Sequence, residues 1–257
     1  AFSNVGINNY LYKYVFLHAK IILLSEMLYQ DIKKYAEKEK CFFLANGINV
    51  EKKKRPIVAY NKDESRSIRL LYLSTLYKQK GIIDFLAAIN VLKGDSGLKV
   101  KASVAGEFGP GFTQDEFWSI VKQYRIESEI TYFGGVYGSD KQELYETSDI
   151  FVFPSHNECF PLVILEAMGY GLPVIAASDG AIPEIIENGI NGFLVEKYNP
   201  NEVANKIRDL TSDPMCRVGM SRANIIKFQE RYTFESFENN FINIMRLSLN
   251  DFNPEFR

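Results

Sequence analysis

The chain has 257 residues, 46% of them hydrophobic and 24% charged, a composition that fits one large globular domain or two modest ones. Its 30 basic residues against 32 acidic ones leave a net charge of −2, which excludes a bulk nucleic-acid-binding surface. Three cysteines without a C-x-x-C pair (Cys41, Cys159, Cys216) point to a reducing compartment, and two histidines (His18, His156) cannot build a histidine-rich metal centre.

The first residues, AFSNVGINNYLYK, carry neither a signal-peptide pattern nor Met, so the chain is read as a fragment or a processed product. No apolar run reaches ~18 residues, so no transmembrane helix is expected. Residues 1–50 read as a helix with an aromatic face (Tyr10, Tyr14, Leu17), a strand at 21–25, a charged helix at 30–40, a strand at 41–44 and a turn at Asn46-Gly47. Two strands and two helices leave open faces and do not complete a domain. Residues 51–67, EKKKRPIVAYNKDESRS, are polar and read as a solvated linker, their lysines diluted by Glu51, Asp63 and Glu64.

From Ile68 strands and helices alternate. Strands are predicted at 68–73, 100–105, 130–133, 149–153, 174–176 and 192–195. Helices are predicted at 82–92, 113–124, 139–147, from Pro161, from Pro183 and from Pro200. Thr113-x-x-Glu116 is a capping box, and Asn199-Pro200-x-Glu202 combines a cap, a proline and a first-turn acid. Two helices, about 214–230 and 234–249, close the chain, the last with a stripe of Phe234, Phe237, Phe241, Ile244 and Met245. Strands separated by helices of this length imply βαβ units: an α/β, Rossmann-like, doubly wound parallel sheet.

The stretch Asp149–Pro173 draws the most attention. A buried strand turns through Ser155-His156-Asn157-Glu158 into a helix at Pro161 that stops near Gly171-Leu172-Pro173. A strand, a tight loop and a helix N-terminus hold anions well, because free N–H groups and the helix dipole point at the loop. The helix is apolar on every side, so it should be buried, yet Glu166 sits within it. A carboxylate there needs a partner: a buried Arg or Lys, or a ligand. Glu158, eight residues earlier, is placed to border the same cleft.

Glu158 and Glu166 form an E-x7-E pair within PSHNECFPLVILEAMGYGLPVIAASDGAIPEII. This run resembles the donor-binding half of retaining glycosyltransferases of family 4, which have the GT-B fold, and the resemblance extends over most of residues 20–245. It implies the C-terminal half of a GT-B fold at 68–232, preceded by a remnant of the acceptor-binding N-terminal domain (1–50) and followed by a terminal helix (233–257) that returns toward that domain. It implies that Glu166 receives the ribose hydroxyls of a nucleotide-sugar and that Glu158 contacts the donor sugar. Backbone N–H groups around Cys159, Phe160, Leu162 and Val163 would meet sugar and diphosphate; Pro161 cannot donate. Lys80-Gly81 matches the family's Lys-Gly, whose cation neutralises the diphosphate, but Ser74-Thr75 stand where the family has Gly-Arg, and a hydroxyl lacks the bidentate, permanent charge of Arg.

The remaining loops add further candidates. Gly106 opens a loop, Gly106–Gly111, that lets a backbone approach a ligand or else serves as a flexible turn. Gly134–Tyr137 falls where the family cups the nucleobase with main-chain groups, which places Val136 at the base. Cys159, where the family often has Gly, reads as a compact filler. His156 orients its loop, and Ser178-Asp179-Gly180 either border the site or, as the preferred reading, cap a helix.

Together these imply sugar transfer, with retention, from a nucleoside-diphosphate sugar to a carbohydrate or glycolipid acceptor. Lys80 and Glu158 would carry the chemistry, and no metal or other cofactor is expected. A cytoplasmic location is expected, peripheral to a membrane through the missing N-terminal domain. The alternative is a nucleotide-sugar-binding module without turnover. An NAD-linked enzyme is disfavoured, since no strand leads into G-x-G-x-x-G with an acid ~20 residues on.

Overall fold

The computed structural model describes residues 6–50, 67–95 and 97–250; the linker reading of 51–67 falls outside them except for Ser67. The chain divides into two compact units, one of residues 1–49 with 230–257 and one of residues 50–229.

The first unit begins with α1 (Gly6–His18), β1 (Ile21–Leu23), α2 (Tyr29–Ile32) and, after a 3-10 turn at Lys38–Lys40, β2 (Cys41–Phe43). β1 and β2 pair in parallel, Ile21 opposite Cys41. Two sequence expectations fail here. The charged helix at 30–40 is one turn of helix followed by turns; its packed apolar positions, Ile32, Tyr35 and Ala36, are too few to carry a longer helix. Asn46-Gly47 forms no turn and leads to Ile48, which bridges Thr233, with Ile48 N donating to Tyr232 O at 2.9 Å. The last helix, Phe234–Asn250, keeps its stripe: Ile244 is buried, while Phe234, Phe241 and Met245 remain partly open to solvent.

The second unit holds β3 (Ile68–Leu73), α3 (Ile82–Lys93), β4 (Val100–Ala105), α4 (Gln114–Tyr124), β5 (Ile130–Tyr132) and α5 (Gly138–Thr147). β6 (Ile150–Phe153), α6 (Leu162–Gly169), β7 (Val174–Ala177), α7 (Ile182–Ile185), β8 (Gly192–Val195), α8 (Pro200–Ser212) and α9 (Pro214–Arg231) follow, and α10 (Phe234–Asn250) ends the described chain. All six strands are parallel, in the order β5-β4-β3-β6-β7-β8. β6 and β7 read IFVF and VIAA with every residue buried, as strands covered on both faces must be. On one face Leu70, Tyr72, Val104, Val152 and Ile175 pack with α3, α4 and α8; α5 contacts β3, and α6 contacts β6 and β7. Both predicted caps form: Thr113 Oγ1 accepts from Glu116 N at 3.2 Å and Asn199 Oδ1 from Glu202 N at 3.1 Å.

The strand order reverses between β3 and β6, so the loops after these two strands flank the crevice where open sheets bind ligands. At the other end of the pair, Asp149 locks the strands together. Its Oδ2 accepts from Arg69 N (2.9 Å) and Nε (3.2 Å), its Oδ1 from Arg69 Nη2 (3.0 Å), and its own N–H donates to Arg69 O at 2.7 Å. Asp149→Ala strands the Arg69 amide, which costs about 1–3 kcal/mol. The guanidinium, 37% exposed, rehydrates, so the ion pair adds under about 1 kcal/mol. Urea unfolding should show that combined loss for Asp149→Ala, and roughly half of it for Asp149→Asn, which keeps an acceptor for the amide.

Candidate active site at the sheet switch point

The two switch-point loops are built against each other. After β3 the chain makes a 3-10 turn, Lys78–Lys80, and leaves it at Gly81 with φ 74°. A side chain at Gly81 would sit 1.9 Å from the carbonyl oxygen of Pro154 in the loop after β6, so only glycine permits this contact. His156 N and Ser155 Oγ both donate to Gln79 O, at 2.8 and 3.3 Å. His156 Nε2 meets Asp84 Oδ2 of α3, so the imidazole orients the loop as expected from the sequence. Gly106, with φ 137°, likewise lies where a Cβ would come 1.8 Å from Ser74 O. Its openness accommodates the neighbouring loop, and Gly106 N also donates to Gly134 O at 2.7 Å.

These loops enclose a cavity of about 570 Å³ at the carboxyl ends of the strands. Ser74, Thr75, Tyr77 and Lys80 line it from the loop after β3, and Gly106 to Pro110 from the loop after β4. Gly135, Val136 and Tyr137 come from the loop after β5 with Lys141 of α5; Glu158, Pro161, Leu162 and Val163 come from the loop after β6 and the start of α6. The structure thus brings together Ser74, Thr75, Lys80, Gly106, Val136, Glu158, Leu162 and Val163. Cys159, Phe160 and Glu166 do not reach the wall: Cys159 is exposed to solvent and Phe160 is buried.

Glu158 has its side chain 7% exposed, with Oε1 engaged twice. Oε1 accepts from Lys80 Nζ at 2.7 Å and from Ser155 Oγ at 2.6 Å. Its backbone N–H donates to Asp179 Oδ2 at 2.6 Å, and Asp179 Oδ1 takes Lys197 Nζ. Asp179 therefore does not cap α7, whose N-terminus has no side-chain cap. It braces the Glu158 loop from the loop after the neighbouring strand β7, a long-range role that local sequence spacing does not signal.

α6 also departs from its sequence reading. Pro161 is the N-cap residue rather than the first helical one, and the helix ends at Gly169. The apolar face is not buried all round: Leu162 is exposed and Val163 half-buried, and both line the cavity. Pro161 provides no side-chain cap, so the leading amides of α6 present their N–H dipoles at the cavity edge. Glu166, one turn on, is held by protein groups: Lys141 Nζ donates to Oε1 at 2.6 Å and Tyr145 Oη to Oε2 at 2.8 Å. Of these partners Lys141 lines the cavity; it reads in sequence as one more surface lysine on a helix. Among the described residues no group of three or more His, Cys, Asp or Glu is arranged to hold a metal ion, and no helix is long and apolar enough to cross a membrane.

With this geometry in view, comparison with known proteins is decisive. The family model for glycosyl transferases group 1 matches residues 53–231. The chain belongs to that family. An uncharacterized glycosyltransferase of Methanocaldococcus jannaschii is 27% identical over 180 residues, 70% of this chain and 45% of the relative. The chain thus spans less than half the length of that curated relative. The C-terminal domain of the group 1 protein LpcC from Francisella tularensis has a TM-score of 0.60 at 30% identity, covering 68% of this chain and 95% of that domain. Anabaena HepE, solved in complex with UDP-glucose, has a TM-score of 0.78 at 20% identity, covering 93% of this chain and 67% of that one. The sheet unit of this group 1 glycosyltransferase is the Rossmann-like, C-terminal half of a GT-B fold.

Two buried phenols lie next to the site carboxylates. Burial, and then the charge of Glu158, hold the Tyr72 hydroxyl well above 10. Burial, followed by Glu166, does the same to Tyr145. In the unfolded chain both ionise near pH ~10. The folded state therefore keeps protons that the unfolded state loses, and the stabilisation, complete below pH ~10, declines as pH rises further. The decline should be about 1.4 kcal/mol per pH unit for each tyrosine. Urea unfolding across pH ~8–12 should show this slope reduced by one tyrosine in Tyr145→Phe, together with a loss of about 1 kcal/mol at neutral pH from the missing donor to Glu166.

Proposed function

We propose that this glycosyltransferase binds a nucleoside-diphosphate sugar in the switch-point cavity and transfers the sugar, with retention, to an acceptor hydroxyl, as family 4 enzymes do. The observation that carries the reading is the convergence of Lys80, the leading amides of α6 and Glu158 on one cavity wall. When the anomeric C–O bond breaks, negative charge grows on the departing diphosphate. A fixed ammonium and aligned N–H groups stabilise that charge with little reorganisation. Lys80 and the amides of Leu162 and Val163 fill this role without a metal ion, and the hydroxyls of Ser74 and Thr75 add hydrogen bonds where the family has an arginine. Lys141 brings a further cation to the cavity wall.

Glu158 is paired to Lys80. Transfer of that lysine to the diphosphate leaves the carboxylate free to accept from donor-sugar hydroxyls. Glu166 is assigned to the ribose diol on the strength of the E-x7-E resemblance. Its carboxylate retains lone pairs beyond those used by Lys141 and Tyr145. The acceptor, a carbohydrate or glycolipid, arrives from the N-terminal domain, which also provides any peripheral membrane attachment, and the enzyme works in the cytoplasm. The second reading is a nucleotide-sugar-binding module without turnover, favoured by Ser74-Thr75 in place of a permanent cation.

Screening UDP-, GDP- and ADP-sugars should find at least one that raises the melting temperature. Slow release of free nucleotide from that sugar marks a transferase, and its complete absence with the full-length protein and acceptor marks a binding module. Product anomers read by NMR decide retention. Glu166→Ala should weaken donor binding in calorimetry by about 1–3 kcal/mol; unaltered affinity removes Glu166 from the ribose site.

A further inference from the structure

We infer that Lys141 is the second cation that binds the diphosphate, leaving Glu166 to Tyr145 and the ribose when the donor arrives. The inference rests on the nucleotide-sugar reading of the cavity. A nucleoside diphosphate carries at least two negative charges. Among the described residues lining the cavity the cations are Lys80 and Lys141, and the loop after β3 adds to Lys80 the neutral hydroxyls of Ser74 and Thr75. Lys141 stands in the first turn of α5, where a cation opposes the helix dipole. Its charge works against the helix that carries it and is directed instead at α6.

Glu166 lies four residues after Leu162, on the same face of α6, and helix side chains lean toward the N-terminus. An ammonium 2.6 Å from Glu166 Oε1 therefore lies beside the first turn of α6, whose amides open to the cavity. Tyr145, one turn after Lys141 on α5, spans the same place: its hydroxyl donates to Glu166 Oε2 at 2.8 Å and to Val163 O at 3.4 Å. The Lys141 side chain is 28% exposed, on a flexible stem with three donors, so it can turn from the carboxylate to a phosphate while α5 stays in place. Tyr145 is buried and stays with Glu166, whose remaining lone pairs take the ribose diol. The cavity thus delivers two lysines to one diphosphate, each released by a carboxylate that gains sugar hydroxyls in exchange.

Calorimetry with UDP, GDP and ADP, and with UMP, GMP and AMP, on the native protein, Lys141→Gln and Lys141→Arg tests this. Gln keeps an N–H donor for Glu166 and removes the charge; Arg keeps the charge. The native protein should bind at least one diphosphate. Lys141→Gln should weaken that diphosphate by about 10-fold, the scale of one charge-assisted contact, and the matching monophosphate by about 3-fold or less. Lys141→Arg should hold the diphosphate within about 3-fold of native. In the native protein, the side-chain NMR signal of labelled Lys141 should move further with the diphosphate than with the monophosphate, a readout that needs no variant to fold. If Lys141→Gln weakens both nucleotides alike or neither, if Lys141→Arg is as weak as Lys141→Gln, or if the Lys141 signal ignores the second phosphate, Lys141 serves only to hold Glu166. The inference is then wrong while the nucleotide site stands. If the native protein binds none of the six nucleotides, both are wrong.

Discussion

The site depends on one contact, the seating of Gly81 against the Pro154 carbonyl. Winding reverses between β3 and β6, so their loops have no neighbouring strand between them and must be joined directly. Glycine's missing side chain allows that approach, and hydrogen bonds from His156 and Ser155 to Gln79 secure it. Lys80 and Glu158 are brought into contact as a result, from chain positions 78 residues apart. The sheet supplies the rigid floor, with β6 and β7 buried throughout.

The charged groups of the site are already matched within the protein. Lys80 answers Glu158 and Lys141 answers Glu166, while Asp179 accepts the Glu158 amide and pairs with Lys197. Buried or half-buried charges need such partners, because an unpaired one costs several kcal/mol. A ligand that enters must therefore exchange partners as well as add contacts. On the proposed reading, a diphosphate would draw the lysine and release the carboxylate in one exchange.

How much of this was legible in the sequence differs from element to element. The six strands of the sheet were legible because parallel strands read as continuous apolar runs and the chain repeats strand and helix at even intervals. Thr113 and Asn199 announced their caps because a cap is a local device spanning four residues. Helix 30–40 misled because charge favours helix only weakly when few apolar residues are buried. Asp179 was noted only as bordering the site or capping a helix, and Lys141 not at all, for another reason. Their partners, Glu158 and Glu166, lie 21 and 25 residues away, and only the tertiary fold brings them together. Glu166 itself was flagged correctly as a carboxylate needing a partner, and both readings left open for it bear on the result: a lysine does hold it, and that lysine stands on the cavity wall.

The most direct test of the exchange is a crystal structure with a nucleoside diphosphate bound. The account predicts phosphate oxygens within hydrogen-bond distance of Lys80 Nζ and of the Leu162 and Val163 amides, with the Lys80–Glu158 contact broken. A diphosphate seated elsewhere, or one bound while Lys80 stays on Glu158, would contradict it.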